Sequence, residues 1–171
     1  MYKKFRIVKI ESDYCNYLRK FDKRVSYNYG IKELRPYVGI LFEINGIEYF
    51  APFSSPKEKH LRLNNTLDLI KINNGVFGVI NINNMIPVVK ECYEEYNLDT
   101  KNCNKSERQR RELMKNQLRW INNNAKDIST KSQFLYKKYK ENKLPANVMD
   151  RCCNFPLLEE KCKDYNKSKV K

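Results

Sequence analysis

The dipeptide Asn45-Gly46 separates two apolar runs, Tyr37–Ile44 and Ile47–Phe53. Both of its residues tolerate the positive φ angles that a two-residue type I′ turn requires. Such a turn also sets the register of the strands on either side. The sequence therefore predicts an antiparallel β-hairpin over residues 37–53.

Further apolar runs extend the predicted sheet. Phe5–Ile10 alternates apolar and polar residues, as a half-buried strand does. Leu67–Ile72 and Val76–Ile82 flank Asn73-Asn74-Gly75 and predict a second hairpin, and a short run follows at Met85–Val89. We expect these strands to form one mostly antiparallel, twisted sheet.

Helical spacing begins after Ser12 and returns beyond Asp99. Ser12 is a predicted N-cap, and Ser106 with Gln109 is a predicted capping box for a long basic helix. The apolar face of that helix is predicted to be Leu113, Met114, Leu118, Ile121 and Ala125.

Two later helices complete the predicted fold. One follows Asp127, with Ile128, Phe134, Leu135 and Tyr139 on its apolar face, and the other begins at Pro156. The polar segment Lys163–Lys171 is expected to fray. Strands followed by helices indicate an α+β fold, and 171 residues suit a single domain over residues 1–171.

The chain is strongly basic. It has 34 Lys and Arg against 20 Asp and Glu, a net charge of +14 and a pI near 9.5. Residues 101–143 contain 13 basic and 4 acidic residues, a net +9. Such a field attracts polyanions, so nucleic acid is the favoured partner, with an acidic membrane surface as the alternative.

Several site types do not fit the sequence. The six cysteines form no CxxC pair and the chain has one histidine, so neither a zinc site nor a disulfide framework is expected. The sequence contains no GxSxG, GxxxxGK[ST] or HExxH motif. Without a signal peptide or an apolar run of about 18 residues, we expect a cytoplasmic protein with reduced thiols and no membrane association. We expect no cofactor.

The segment Phe53–His60 is the first candidate for chemistry. It leaves a predicted strand and brings together hydroxyls at Ser54 and Ser55, the cation of Lys57 and the chain's one histidine, His60. Sites are often carried by loops on rigid strands. On composition alone an ordinary solvated turn is the favoured interpretation of this segment.

A polar aromatic loop before the first hairpin strand is the second candidate. It contains Tyr27, Tyr29 and Arg35. Tyrosine rings stack on unpaired bases, and a guanidinium grips phosphate through two donors. Taken alone, these tyrosines fit better a loop that simply covers the edge of the sheet.

Five segments resemble the ToxN/AbiQ family of type III toxin–antitoxin endoribonucleases, in order and over nearly the whole chain. They are Arg35–Ile40, Tyr49–Lys57, Gly78–Val88, Asn116–Ile121 and Phe155–Lys161. The resemblance implies a compact, strongly twisted, barrel-like antiparallel sheet with flanking helices, similar to the MazF/Kid toxins.

The resemblance also implies an activity and a partner. Family members cut single-stranded, A-rich RNA, such as mRNA, without a metal and leave a 2′,3′-cyclic phosphate. They are inhibited by a structured RNA antitoxin from a tandem repeat array, held in a heteromeric protein–RNA assembly. The implied biological outcome is growth arrest or abortive phage infection.

The family's catalytic segment falls on Ser54, Ser55 and Lys57, and its upstream tyrosine and basic residue fall near Tyr29 and on Arg35. Tyr27 is an alternative for the tyrosine. Arg35 stays protonated, which favours charge balance over proton transfer. His60 is the candidate for the proton step.

Basic residues beside the loop and on the long helix are the expected RNA contacts. They are Lys59, Arg62, Arg108, Arg111, Lys115 and Arg119. Two other functions fit the same sequence: a non-catalytic RNA-binding protein, and a MazF-like ribonuclease toxin neutralised by a protein.

Overall fold

The computed structural model describes residues 4–27 and 35–169. These residues form an antiparallel sheet and six α-helices, which confirms the α+β prediction. The strands are β1 (Arg6–Ile10), β2 (Tyr37–Gly39), β3 (Glu43–Ile44), β4 (Ile47–Ser54), β5 (Ile70–Lys71), β6 (Val79–Ile80), β7 (Ile86–Val88) and β8 (Tyr93–Glu95). The helices are α1 (Ser12–Arg19), α2 (Glu58–Arg62), α3 (Lys105–Asn123), α4 (Ala125–Lys140), α5 (Ala146–Arg151) and α6 (Phe155–Lys169). Short 3₁₀ segments cover Ile72–Gly75, Ile82–Asn84 and Lys90–Cys92.

Strand β4 is the centre of the sheet. It pairs with β2 and β3 along one edge and with β6 and β7 along the other. The strand order is β5-β6-β4-β2-β1-β8, and the end strands β5 and β8 do not pair with each other within the described chain. The sheet is therefore open, and the barrel-like closure that the resemblance implied is not confirmed.

The Asn45-Gly46 hairpin is confirmed. Ile44 pairs with Ile47, and the turn residues have φ angles of 51° and 77°. The run Tyr37–Ile44 is not one strand, however, because Leu41 and Phe42 both bond to the backbone of Tyr49. That irregularity shifts the register and divides the run into β2 and β3.

The second hairpin is confirmed as a pair but is shorter than predicted. Ile70 pairs with Ile80 and Lys71 with Val79, so each strand has two residues. Residues 72–78 connect the two strands through a 3₁₀ segment and a turn, in which Val76 is 52% exposed. The run at 85–89 contributes β7, whereas β8, α2 and α5 have no counterpart in the sequence prediction.

Several predicted helix ends were wrong. Helix α1 begins at Ser12 itself, with Glu11 as its N-cap. The N-cap of α3 is Asn104, whose side chain accepts from the Glu107 amide at 2.9 Å, and not Ser106. Polar capping residues are frequent in this segment, and only the actual hydrogen bond distinguishes them.

The apolar face of α4 and the end of α6 also differ from the prediction. Phe134 is 45% exposed, although its spacing predicted burial. Helix α6 continues to Lys169 instead of fraying after residue 163, and the Lys169 ammonium lies 3.0 Å from the Glu11 carboxylate. This ion pair connects the last turn of α6 to the start of α1.

The helices cover the sheet and complete its core. Helix α6 packs on β7, and α3 packs on β1. The six cysteines are free thiols, and five of them are buried, where they act as small apolar side chains. Within residues 4–27 and 35–169, no helix is both long and apolar enough to cross a membrane.

A carboxylate joins the central strand to two helices. The phenol groups of Tyr49 in β4 and Tyr136 in α4 both donate to Oε1 of Glu159 in α6, at 2.7 and 2.6 Å. Both tyrosines are buried. Glu159 therefore satisfies two phenols that would otherwise lack partners in the core.

We expect Glu159→Ala to lower the free energy of unfolding by about 2–4 kcal/mol, because two buried phenols lose their acceptor. Urea denaturation measures this change. The control is Glu160→Ala, since the neighbouring Glu160 side chain is 64% exposed and pairs with Lys161 on the surface. Its effect should be within about 0.5 kcal/mol. Equal effects would exclude the proposed role of Glu159.

Candidate active site

The segment Ser54–Lys57 forms an exposed loop between β4 and α2. Ser54 ends β4, pairs with Val79 and is half-buried. Its hydroxyl oxygen accepts a hydrogen bond from Asn81 Nδ2 at 3.3 Å. Ser55, Pro56 and Lys57 are exposed. The loop thus presents two hydroxyls and an ammonium group to solvent from a rigid strand.

His60 holds the start of α2 in place. It is 3% exposed, and its Nδ1 accepts from the Lys57 amide at 3.1 Å while its own amide donates to the Lys57 carbonyl at 2.8 Å. An accepting Nδ1 requires the neutral ring. Burial lowers the pKa of His60 below its ordinary 6.5, and the charges of Lys59 and Lys57 lower it further.

The turn between β5 and β6 packs against the backbone of this loop and of α2. A methyl group at Gly78 would overlap the carbonyl oxygen of Ser54, and one at Gly75 would stand 2.5 Å from the carbonyl oxygen of His60. Gly78 has a φ of 99°, which residues other than glycine rarely adopt. The loop backbone therefore rests directly on the turn backbone.

Helix α3 fixes that turn. Gln117 is 2% exposed, and its Nε2 donates to the carbonyl of Phe77 at 2.8 Å. The bond is made from a buried side chain to the residue before Gly78. Gln117 thereby connects α3 to the turn, and the turn contacts the loop where Gly78 packs on the Ser54 carbonyl.

Lys71 caps the other end of α2. Its ammonium donates to the carbonyls of Leu61 and Leu63, at 3.3 and 3.1 Å. These carbonyls are at the helix C-terminus, where a cation also complements the helix dipole. Both ends of the five-residue helix are thus fixed by specific contacts.

Arg35 lies at the same end of the sheet as the loop. It precedes β2, which runs antiparallel to β4, and the Phe53 amide donates to the Pro36 carbonyl at 3.2 Å. Arg35 is half-buried. Tyr37 beside it is fully buried, and burial raises the pKa of its phenol well above 10, with Arg35 acting in the opposite direction.

The structure thus brings together Ser54, Ser55, Lys57, Lys59, His60 and Arg62 on one loop and helix, with Arg35 at the adjoining strand end. Tyr29 lies outside the described residues. Tyr27 is 45% exposed, and the Arg19 guanidinium lies 5.3 Å from its ring centroid.

The predicted RNA contacts on α3 lie on a different face. Arg108, Arg111, Lys115 and Arg119 are spaced by three or four residues and share one stripe. Gln117, which contacts the turn, is two residues from Lys115 and Arg119, or about 200° around the helix. The stripe therefore points away from the loop.

Two residues of this stripe are already ion-paired on α3. Arg111 lies 3.0 Å from Glu107, and Lys115 lies 3.2 Å from Glu112. Arg108 and Arg119 are exposed. The Arg111 side chain is only 21% exposed and also donates to the Asp99 carbonyl, whereas the Lys115–Glu112 pair lies at the surface, where ion pairs are weak. Arg108, Lys115 and Arg119 are therefore the residues of the stripe that a polyanion can reach.

The residues that support the loop were not predicted from the sequence. They are Asn81, Gln117, Gly78 and Lys71. Gly78, Asn81 and Gln117 lie in segments that carry the family resemblance, yet their spacing indicates no contact with Ser54. Each acts from a distant part of the chain, so local patterns do not reveal its role.

Comparison with known proteins decides the family. The family model described as "Toxin ToxN, type III toxin-antitoxin system" matches residues 6–163. The chain belongs to the ToxN family. This confirms the resemblance drawn from the sequence motifs.

Relatives of this ToxN family member have known names and structures. It is 34% identical to the endoribonuclease ToxN of Bacillus thuringiensis subsp. kurstaki, over 91% of this chain and 81% of that protein. One similar solved structure comes from work on bacterial type III toxin–antitoxin systems and selective toxin inhibition by a non-coding RNA pseudoknot. It has a TM-score of 0.82 and 32% sequence identity, and the match covers 96% of this chain and 99% of that one. AbiQ, a lactococcal anti-phage endoribonuclease of a type III system, has the same TM-score and coverage at 27% identity.

We expect the His60 imidazole of this ToxN family member to titrate below 6.5, because burial and two lysines disfavour its charge. Proton NMR can follow it without ambiguity, since the chain has one histidine. The bond to Lys57 contributes its stability fully above the unfolded pKa of about 6.5. That contribution is lost as the pH falls through the folded-state pKa. The urea-unfolded chain is the control, and a folded midpoint at or above 6.5 would contradict this assignment.

We expect Gly78→Ala to destabilise the protein by about 1–3 kcal/mol more than Gly46→Ala does. Both glycines have positive φ, but a methyl group at Gly46 meets nothing within 4 Å. The pair therefore separates backbone strain from the clash with Ser54. Urea denaturation gives the stabilities, and amide hydrogen exchange should accelerate at residues 55–60 in the Gly78 variant alone. Equal stabilities and unchanged exchange would refute the proposed support of the loop.

Proposed function

We propose that this chain is a metal-independent endoribonuclease toxin that cuts single-stranded, A-rich RNA. The observation that carries the proposal is the rigid loop of a ToxN family member, which presents Ser54, Ser55 and Lys57 at the end of the central strand. Its named relatives ToxN and AbiQ are endoribonucleases. We further propose that residues 1–171 act as one domain in the cytoplasm, and that the open sheet is a strongly twisted relative of the MazF/Kid barrels.

The proposed reaction is an internal transesterification. The ribose 2′-oxygen bonds to the adjacent phosphorus as the bond from phosphorus to the 5′-oxygen breaks. One proton leaves the 2′-hydroxyl and one is delivered to the 5′-oxygen. The products are a 2′,3′-cyclic phosphate and a 5′-hydroxyl, so the site must stabilise the charge that develops on the phosphoryl oxygens.

Lys57 and Arg35 supply that stabilisation. The Lys57 ammonium is exposed on the loop, and the Arg35 guanidinium lies at the adjoining strand end. Ser55 is exposed and orients the phosphate or the 2′-hydroxyl. Ser54 assists with its hydroxyl, whose orientation is set by Asn81. A serine hydroxyl without an adjacent base acts here by hydrogen bonding rather than as a nucleophile. Tyr29 is the proposed aromatic partner of the substrate.

His60 acts chiefly by positioning Lys57. Its Nδ1 is occupied by the Lys57 amide, and its ring is 3% exposed. The proton of the neutral ring therefore lies on Nε2. Nε2 can contact the 5′-oxygen only if the loop moves. We therefore assign the proton step to His60 together with a movement of the loop.

The proposed partner is a structured RNA antitoxin from a tandem repeat array, bound in a heteromeric protein–RNA assembly. Membership of a type III family favours an RNA antitoxin over the protein antitoxin of a MazF-like toxin. The stripe of α3 supplies basic contacts for this RNA, and Lys59 and Arg62 supply contacts for RNA at the loop. We propose growth arrest and abortive phage infection as the biological outcome, as the anti-phage relative AbiQ indicates.

We expect Lys57→Ala to lower the rate of RNA cleavage by about 10² or more, because a charged group that stabilises the transition state is lost. The assay uses the purified protein, A-rich single-stranded RNA and an excess of chelator, and it monitors the cyclic phosphate. Lys23→Ala, an exposed lysine in the turn that follows α1, is the control.

Each outcome of this assay has a definite meaning. Cleavage by the Lys23 variant and none by the Lys57 variant supports the proposal, provided that both unfold at the same urea concentration. RNA binding without cleavage by the unmodified protein would favour a non-catalytic RNA-binding protein. Undiminished cleavage by Lys57→Ala would remove Lys57 from the mechanism.

We expect the double variant Arg108→Ala and Arg119→Ala to weaken antitoxin binding and to reduce its salt dependence. Each lost phosphate contact lowers the slope of log affinity against log salt by about 0.9. The RNA is transcribed from the tandem repeats expected upstream of the gene, and affinity is measured between about 50 and 200 mM salt. The double variant Lys20→Ala and Lys23→Ala is the control, and equal slopes in both variants would place the antitoxin elsewhere.

A further inference from the structure

Three apolar side chains are exposed beside the loop. Leu61 is 55% exposed, Leu63 38% and Val76 52%. Leu61 is the next-to-last residue of α2, Leu63 follows the helix, and Val76 lies in the turn between β5 and β6. We call these three residues the apolar shelf.

The backbone under the apolar shelf is held in one arrangement. Lys71 bonds to the carbonyls of both Leu61 and Leu63. Gly75, the residue before Val76, lies directly against the carbonyl of His60, the residue before Leu61. The backbone that carries the shelf is therefore held before any ligand arrives, which reduces the entropy cost of binding.

Cations lie on the same short helix as Leu61 of the apolar shelf. Lys57, Lys59 and Arg62 are exposed on the same short helix and its N-cap. Arg62 pairs with Glu58 at 2.8 Å, but both side chains are 80% exposed, so the pair is weak and exchangeable. Exposed Leu61 thus lies between the exposed cations of Lys59 and Arg62 along α2.

This combination fits one ligand class. An unpaired nucleotide offers an anionic phosphate together with an exposed base face, whereas a duplex hides its base faces by stacking. A second copy of the chain fits poorly, because a stable interface needs about 800 Å² on each partner and three side chains supply far less.

We propose that the apolar shelf holds the base of an unpaired nucleotide next to the phosphate bound at Ser54–Lys57. The proposal rests on the proposed function and adds a base contact to it. The shelf would then favour single-stranded over double-stranded RNA by direct contact with the base.

The test measures binding without cleavage. The probe is a short, single-stranded, A-rich RNA with 2′-fluoro groups throughout, which lacks the attacking hydroxyl. A matched series carries one abasic position, moved along the strand. The variants are Leu61→Ser with Val76→Ser, and Phe21→Ser as the control, since Phe21 is 42% exposed but lies beyond α1.

We expect the shelf variant to bind the intact probe about fivefold to tenfold more weakly, as burying roughly half of a leucine side chain would predict. One abasic position should weaken binding to the unmodified protein by a similar factor and cause no further loss in the shelf variant. The Phe21 variant should bind like the unmodified protein.

Three results would overturn the proposal. The first is that the shelf substitutions weaken binding by the same factor for every abasic probe. The shelf would then contact no base. The second is no loss of affinity in the shelf variant. The third is a change in self-association by analytical ultracentrifugation, which would assign the shelf to a second copy.

Failure of the proposed function would look different. An unmodified protein that binds the fluoro probe but leaves ordinary RNA intact would refute the ribonuclease activity. The dependence on the abasic position would still decide the shelf proposal. The two proposals are therefore tested by separate measurements.

Discussion

Pairing along both edges of β4 is the constraint on which the rest of the structure depends. Two strands occupy one edge and two the other, so the backbone hydrogen bonds of β4 are made within the sheet. Its end at Ser54 is held by β6 on one side and by the Phe53–Pro36 bond on the other. A loop that starts from such a strand has little freedom, which is what a site with defined geometry requires.

The support of the loop continues outward from β4 to the turn between β5 and β6 and then to α3. The turn containing Gly78 carries the loop, and Gln117 of α3 holds the turn. The same helix exposes its basic stripe on the opposite side. One helix thus separates a surface that organises the loop from a surface suited to a polyanion. RNA bound along the stripe and RNA bound at the loop would lie on different faces of α3.

Local sequence patterns predicted the elements whose conformation is set by neighbouring residues. The Asn45-Gly46 turn and the strand β1 were found because both depend on neighbouring residues. Strand β8 was missed because two of its three residues are glutamates, and its pairing with β1 comes from a segment more than 80 residues earlier. The loop was chosen from its hydroxyls and cations, but the side chains that hold it were not. Asn81 and Gln117 reach it only after the chain has folded, since no short-range spacing encodes these contacts.

By itself, the sequence determined the first hairpin, the basic character, the family motifs and the candidate residues of the loop. These follow from backbone preferences, charge and residue order, which need no knowledge of distant contacts. Only the tertiary structure decided that His60 is buried beneath Lys57, that the α3 stripe faces away from the loop and that the sheet is open. Each of these depends on which distant segments exclude water together, because burial and backbone pairing are properties of the packed chain rather than of any one segment.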